Sequence, residues 1–155
     1  MVKAMDRTGA EALQHGALCW REGAQGREVL LVTSRETGRW VIPKGWPIKG
    51  LSPSETAARE AWEEAGVKPA APEEMWPLGD YGYDKVLDRG GAAERVQPCR
   101  VQVHALRVAV LTQDFPEREE RDRRWCPASE AARLVEEPEL RRLIEGFARA
   151  ALPEA

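Results

Sequence analysis

Cysteine is scarce in this chain and nowhere paired. Cys19, Cys99 and Cys126 are odd in number, widely spaced and form no C-x-x-C motif, which argues against a disulfide framework or a zinc site. Reduced thiols in a cytoplasmic protein are the expectation. Long apolar runs are missing as well. The stretches at residues 29–32 and 105–111, the second interrupted by Arg107, are far too short to span a bilayer. The N-terminal residues have no apolar core of the kind a signal peptide needs. Histidine is limited to His15 and His104, each on a strand-like pattern without a Cys or Ser partner in a recognisable arrangement, so neither is expected in catalysis. An excess of charge is lacking too: 23 basic and 26 acidic residues leave a net charge of −3, which gives no support to a nucleic-acid or membrane partner. Internal repeats and long linkers are absent.

What is present fits one globular domain. With 155 residues, 43% hydrophobic and 32% charged, the chain is long enough for one sizeable core, with residues 1–12 as a ragged lead-in to a single domain over 1–155. Arginine outnumbers lysine eighteen to five. Its planar fork of donors suits phosphate oxygens, although a GC-rich genome produces the same bias. Residues 15–20 and 28–33 are apolar-rich and flank Glu22-Gly23-Ala24-Gln25-Gly26, which predicts a hairpin. Residues 39–42 predict a short strand stopped by Pro43, followed by a Gly- and Pro-rich loop over 43–50. Residues 75–87 read as extended with an interruption at Gly82, 88–91 as a turn, and 100–110 as a half-buried strand with alternating polarity. A charged loop over 114–124 leads to a short strand ending at Trp125 and Cys126, and helical patterns over 127–135 and 138–150 close the chain. Strands on both sides of a central helix predict an α/β sandwich around a mixed sheet.

The central helix has the clearest signals. Ser52 is placed to cap it, Pro53 suits its first position, Glu55 completes a capping box, and Gly66 supplies the stop, which predicts a helix over Pro53–Ala65. Glu60, Glu63 and Glu64 then fall at i, i+3 and i+4, so three carboxylates share one face. Like charges so placed repel unless a cation sits among them, and hard oxygen donors suit Mg²⁺ or Mn²⁺. A solvated acidic face would give the same local spacing, so the surrounding pattern has to decide.

That pattern resembles the Nudix box, which reads Gly, five residues, Glu, seven residues, Arg-Glu, an aliphatic residue, any residue, Glu-Glu, any residue, Gly, aliphatic. Gly45 fills the first place, and Arg59-Glu60-Ala61-Trp62-Glu63-Glu64-Ala65-Gly66-Val67 fills the second half with a small residue at Ala61. One place departs: Leu51 stands where the box has its first Glu, a supporting residue beside the metal site in that family. The departure bears on metal affinity or rate more than on fold. Residues 29–35, 39–45, Lys85, 100–103 and 121–125 resemble the diphosphoinositol polyphosphate phosphohydrolase branch, so the likeness covers roughly residues 14–145.

The resemblance implies a Nudix-type α/β/α sandwich with a central mixed sheet. It implies metal-dependent hydrolysis, with Mg²⁺ or Mn²⁺, of a phosphoanhydride bond in a polyphosphorylated small molecule such as a diphosphoinositol polyphosphate or a diadenosine polyphosphate. By the same resemblance the metal ligands are Glu60, Glu63, Glu64 and the carbonyl of Gly45, and Arg59 orients the carboxylates. The proton of the attacking water goes to Glu63, to Glu64, or to a loop carboxylate among Glu117, Glu119 and Glu120. Phosphate binding is expected from Arg35, Arg39, Lys44, Lys49, Lys85, Arg100 and Arg123. Trp20, Trp40, Trp62, Trp76 and Trp125 are expected in core or sheet, whereas Trp46 lies in the loop and is the tryptophan to watch near substrate. A homodimer is compatible with the family. The alternatives are a nucleoside-diphosphate-sugar or nucleotide pyrophosphatase, and a non-hydrolytic nucleotide sensor, for which Leu51 is the only support.

Overall fold

A computed structural model describes residues 10–150 of the chain, so most of the expected lead-in over 1–12 lies outside the described residues. The strands are β1 (Ala12–Gly23), β2 (Gly26–Thr33), β3 (Trp40–Val41), β4 (Lys44–Gly45), β5 (Val67–Pro69), β6 (Trp76–Leu87), β7 (Arg95–Leu111) and β8 (Arg123–Pro127), and the helices are α1 (Pro53–Ala65), α2 (Ala128–Leu134) and α3 (Pro138–Arg149). One sheet runs β3-β2-β1-β7-β5, with β4 also on β1, β6 also on β7 and β8 also on β2. β1 and β7 are parallel, and the other pairings are antiparallel. The sheet is therefore mixed, as the sequence predicts.

The continuous apolar run in β1 has a simple cause: both faces of the strand are covered. Ala17 and Cys19 pack with Ala57, Ala61 and Ala65 of α1. Leu18 and Trp20 pack on the opposite face with α2 and α3, through Ala131, Leu140, Ile144 and Phe147. Two apolar layers thus sandwich one sheet. The alanine stripe at every fourth position of α1 lets that helix lie close against the sheet, which brings its next stripe, Glu60 and Glu64, over the β4 backbone.

α1 begins and ends where predicted. Ser52 Oγ accepts the Glu55 N–H (3.2 Å), and the Ser52 N–H donates to Glu55 Oε1 (2.8 Å). Gly66 adopts φ 70° and caps the other end. A Cβ there would stand 2.7 Å from Phe115 Cδ1 and 2.9 Å from the Thr112 carbonyl, so glycine is required by both conformation and space.

Several elements differ from expectation. β1 and β7 are longer than the hydrophobic patterns indicate, because their parallel register runs from Ala12↔Cys99 to Trp20↔Arg107 and carries polar residues along with it. Lys44–Gly45, read as loop, pairs with His15 and Gly16. β5 and a single 3-10 turn at Pro72–Glu74 are too short to leave a periodic signal. Gly82 does not interrupt β6, since it continues the ladder opposite Arg100. The irregularity lies at Gly79, where φ is +144° and a Cβ would meet Leu143 Cδ2 at 2.8 Å. All three cysteines are free and buried.

Because the capping box fixes where α1 starts, Ser52→Ala is expected to destabilise the protein by about 1 kcal/mol. The urea midpoint measures this, and a midpoint equal to that of wild type would show that the cap contributes nothing.

Candidate active site

Glu60 and Glu64 are one helical turn apart on α1, close enough for each carboxyl to shift the other. Glu64 is buried and accepts the Lys44 backbone N–H at 3.3 Å. Burial drives the Glu60 carboxyl up to about 8, helped by its hydrogen bond to Glu64 and by the charges of Glu64, Glu63 and Glu117. Burial also raises Glu64, against the pull of Arg121 and Lys44. Two carboxyls this close share one proton near neutral pH unless a cation lies between them and lets both ionise.

Gly45 makes the approach possible. A Cβ there would fall on the Glu60 carboxyl, 2.5 Å from Oε1 and 2.7 Å from Oε2. β4 holds this glycine in place by pairing with β1, so the backbone of Gly45 and the carboxyl of Glu60 face each other directly. Among the described residues, no three His, Cys, Asp or Glu side chains form a closed metal cage. Mg²⁺ does not need one, since it commonly binds through one or two carboxylates, keeps several waters and takes further oxygens from substrate phosphates. The Glu60–Glu64 pair, with Gly45 set against it, fits that donor chemistry.

Around the pair opens a cleft of about 570 Å³, lined by Glu60, Glu63, Glu64 and Arg59 of α1, by Lys44 to Ile48, and by Gln14, Arg35, Tyr83, Lys85, Glu117 and Arg121. Three of the seven cations expected to bind phosphate, Arg35, Lys44 and Lys85, line it. The Lys44 ammonium lies 5.0 Å from the centre of the Tyr83 ring, and burial lowers it to about 8, opposed by Glu64 and Glu137.

The other four cations do not line the cleft. Arg39 is ion-paired to Glu137 (2.8 Å) and Glu136 (3.1 Å). Arg100 joins β7 to its surroundings through Asp80 (2.9 Å), Glu11 (3.1 Å) and Glu139 (3.4 Å). Arg123 donates to the carbonyls of Ala65 and Thr112 and lies over the Phe115 ring. Lys49 is exposed, one residue beyond the cleft-lining Ile48. Acidic partners and backbone carbonyls claim the three arginines, and neither is visible in a one-dimensional spacing.

Arg59 is also placed differently from expectation. It lines the cleft but is exposed, and among the described residues its guanidinium forms no hydrogen bond or ion pair. The carboxylates are braced by Arg121 instead. This buried arginine donates through Nε to Glu117 Oε1 (2.8 Å) and through Nη1 to the Thr33 carbonyl (2.8 Å), and its Nη2 lies 3.8 Å from Glu64 Oε1. The Glu117 N–H donates to the Glu63 carbonyl at 3.0 Å, which ties the charged loop to α1. Of the three loop carboxylates, Glu117 alone lines the cleft, while Glu119 and Glu120 line a separate hollow.

Arg121, Gln14 and Tyr83 carry no role in the sequence-based expectations. Alternation along β6 puts Tyr83 on the same face as Lys85 and so contains a signal for it. Arg121 is hidden among four arginines in residues 117–124. Leu51 lies outside the cleft. It lines a mostly apolar hollow of about 410 Å³ on the outer flank of α1, with Trp62, Val67, Pro69 and Met75. His15 and His104 are buried in the sheet and do not line the cleft.

The profile of the NUDIX domain matches residues 12–147. Nudix hydrolase 12, mitochondrial, of Arabidopsis thaliana is 36% identical over 122 residues, covering 79% of this chain and 59% of that protein. Diphosphoinositol polyphosphate phosphohydrolase 2 of Rattus norvegicus is 35% identical over 66 residues, 43% of this chain and 36% of its own. The chain thus spans less than two thirds of the length of either relative. Among solved structures, that of a C. elegans Ap4A hydrolase aligns with a TM-score of 0.58 at 19% identity, covering 89% of this chain and 96% of that one, a likeness of fold.

Two outcomes follow from the site. Arg121→Met leaves Glu117 and Glu64 without their buried partner and is expected to lower stability by about 3 kcal/mol in urea denaturation. A loss no larger than that of an exposed ion pair would show that Arg121 does not brace the carboxylates. The second concerns pH. The Glu60 carboxyl is pushed up to about 8 in the folded chain from an ordinary value of 4.5, so between these values the folded state binds more protons than the unfolded one. The carboxyl therefore makes the metal-free protein less stable as pH rises through that window. With a chelator present, Glu60→Gln should gain stability over wild type from about pH 5 to about pH 8, and parallel pH profiles would contradict the raised carboxyl.

Proposed function

The chain belongs to the Nudix family, and we propose on that premise that it hydrolyses a phosphoanhydride bond in a polyphosphorylated small molecule, with a divalent cation bound at Glu60 and Glu64. The observation that carries the proposal is the Glu60–Glu64 carboxyl pair, with Glu64 buried and Glu60 set against Gly45, inside a cleft that also gathers Arg35, Lys44 and Lys85.

Glu60, Glu64 and the Gly45 carbonyl would hold the cation, Mg²⁺ or Mn²⁺, which when bound screens phosphate charge and acidifies a coordinated water. The protein supplies the rest. Lys44 and Lys85 attract the anionic chain, and Arg35, whose Nη1 is paired with Glu120 (3.3 Å) and Glu117 (3.8 Å), presents its remaining donors at the cleft edge. Arg121 fixes Glu64 and Glu117 from behind, so their oxygens are oriented before substrate arrives. Glu63 and Glu117 both face the cleft and are the carboxylates available to hold the proton removed from water, with the charged loop bringing the second within reach of the first.

Diphosphoinositol polyphosphates and diadenosine polyphosphates are the proposed substrates, because three cations and a metal suit a ligand with several phosphates. The names of the rat relative and of the C. elegans structure point the same way. The sensor alternative rests on Leu51 alone, and Leu51 sits on the far flank of α1 from the carboxyl pair.

The test is a panel of diadenosine polyphosphates of rising length, a diphosphoinositol polyphosphate, ADP-ribose and a nucleoside triphosphate, incubated with Mg²⁺ and followed by chromatography. Cleavage of the polyphosphates is expected, reduced at least about 100-fold in Glu64→Gln. Cleavage of ADP-ribose alone would discard the proposed substrates. Ligand binding without turnover would overturn the hydrolase assignment.

A further inference from the structure

We propose that Trp46 is a stacking platform for a nucleobase, so that the cleft takes a dinucleoside polyphosphate in preference to a polyphosphate that carries no aromatic ring. This rests on the hydrolase proposal above and narrows its substrate.

Six tryptophans occur in the chain, and five are used in packing. Trp20 stands edge-on to Trp76 and Phe147, Lys68 lies over Trp62, Arg21 lies over Trp125, and Trp40 packs on the α2–α3 core. Trp46 is 41% exposed, and among the described residues no ring or cation covers it. An indole left this open forgoes a large hydrophobic gain, and this one is left open inside the cleft.

Its position is specific. Trp46 directly follows Gly45, the residue against which the Glu60 carboxyl sits, and it lines the same cleft as Glu60 and Glu64. Gly45 is held by the β1–β4 pairing. Pro47 restricts Trp46 to extended backbone, and a turn from Ile48 to Leu51 (3.0 Å) closes the loop behind it. The platform is therefore preorganised.

The cleft has two kinds of wall. Lys44, Lys85, Arg35 and the carboxylates make most of it charged, while Trp46, Pro47 and Ile48 form an apolar strip at one side. A ligand matching both has a flat aromatic group joined to a chain of phosphates. Base–aromatic stacking tolerates any base, since each presents a π face. An inositol ring has none, so an exposed indole adds little to its binding.

The experiment compares wild type, Trp46→Ala and Trp46→Phe on diadenosine tetraphosphate and inorganic tripolyphosphate, with calorimetric binding of diadenosine tetraphosphate as a second readout. Stacking predicts that Trp46→Ala lowers the ratio of kcat/KM for diadenosine tetraphosphate over tripolyphosphate by about tenfold and weakens calorimetric affinity similarly, with Trp46→Phe recovering most of both. Equal losses on the two substrates, or no change in either readout, would overturn the proposal. If wild type neither binds nor cleaves diadenosine tetraphosphate, stacking is wrong, and tripolyphosphate cleavage would then leave the hydrolase assignment intact. If wild type binds the dinucleotide without cleaving it and Trp46→Ala weakens that binding, stacking stands and the hydrolase assignment falls.

Discussion

Two carboxyls one helical turn apart, one of them buried, repel each other and lose solvation together. Most of what surrounds the site makes that arrangement tolerable. Gly45 removes the side chain that would collide with Glu60. The Lys44 amide donates to Glu64, and the Arg121 guanidinium places a positive charge 3.8 Å from its Oε1. The alanine stripe on α1 sets the depth at which the pair sits, and the capping box sets the rotation of the helix by fixing its first turn. A helix with the same glutamates but a bulkier inner face would stand off the sheet and leave them solvated.

Much of this is readable along the chain because it is local. Helix caps, the i, i+3, i+4 spacing and the loop glycine are contained within residues 45–67, and α1 forms over the predicted range. The carboxyl cluster needs no long-range information to be recognised. Strand ends leave a weaker local signal. β7 extends past its alternating core because the parallel ladder with β1 organises backbone regardless of side-chain pattern, and β5 has only three residues.

The cations show where local reading stops. Arg39, Arg100 and Arg123 have the chemistry to hold phosphate, but each ends beside an acid or carbonyl that is distant in sequence: Glu137, Glu139 and Ala65. Lys44 and Lys85 escape this by facing the cleft from β4 and β6. Arg121 is the converse case. It looks like one member of a solvated charged run and is instead buried against Glu117 and Thr33. Charge type sets what a residue is able to bind, and the tertiary partner decides whether it is free to do so.

The parallel pairing of β1 with β7 has a consequence for how the chain acquires its shape. β1 is central to the sheet, yet its longest ladder joins Ala12 to Cys99 and Trp20 to Arg107. Loops that long close slowly, and folding rates fall as contacts become less local. During vectorial synthesis the β1–β2 hairpin and α1 emerge well before the strand that must lie beside them. Until β7 leaves the ribosome, one edge of the most apolar strand is bare, and an unpaired edge of that kind is a template for association with other chains. The topology that covers both faces of β1 so well therefore puts the chain's period of greatest aggregation risk in the middle of translation.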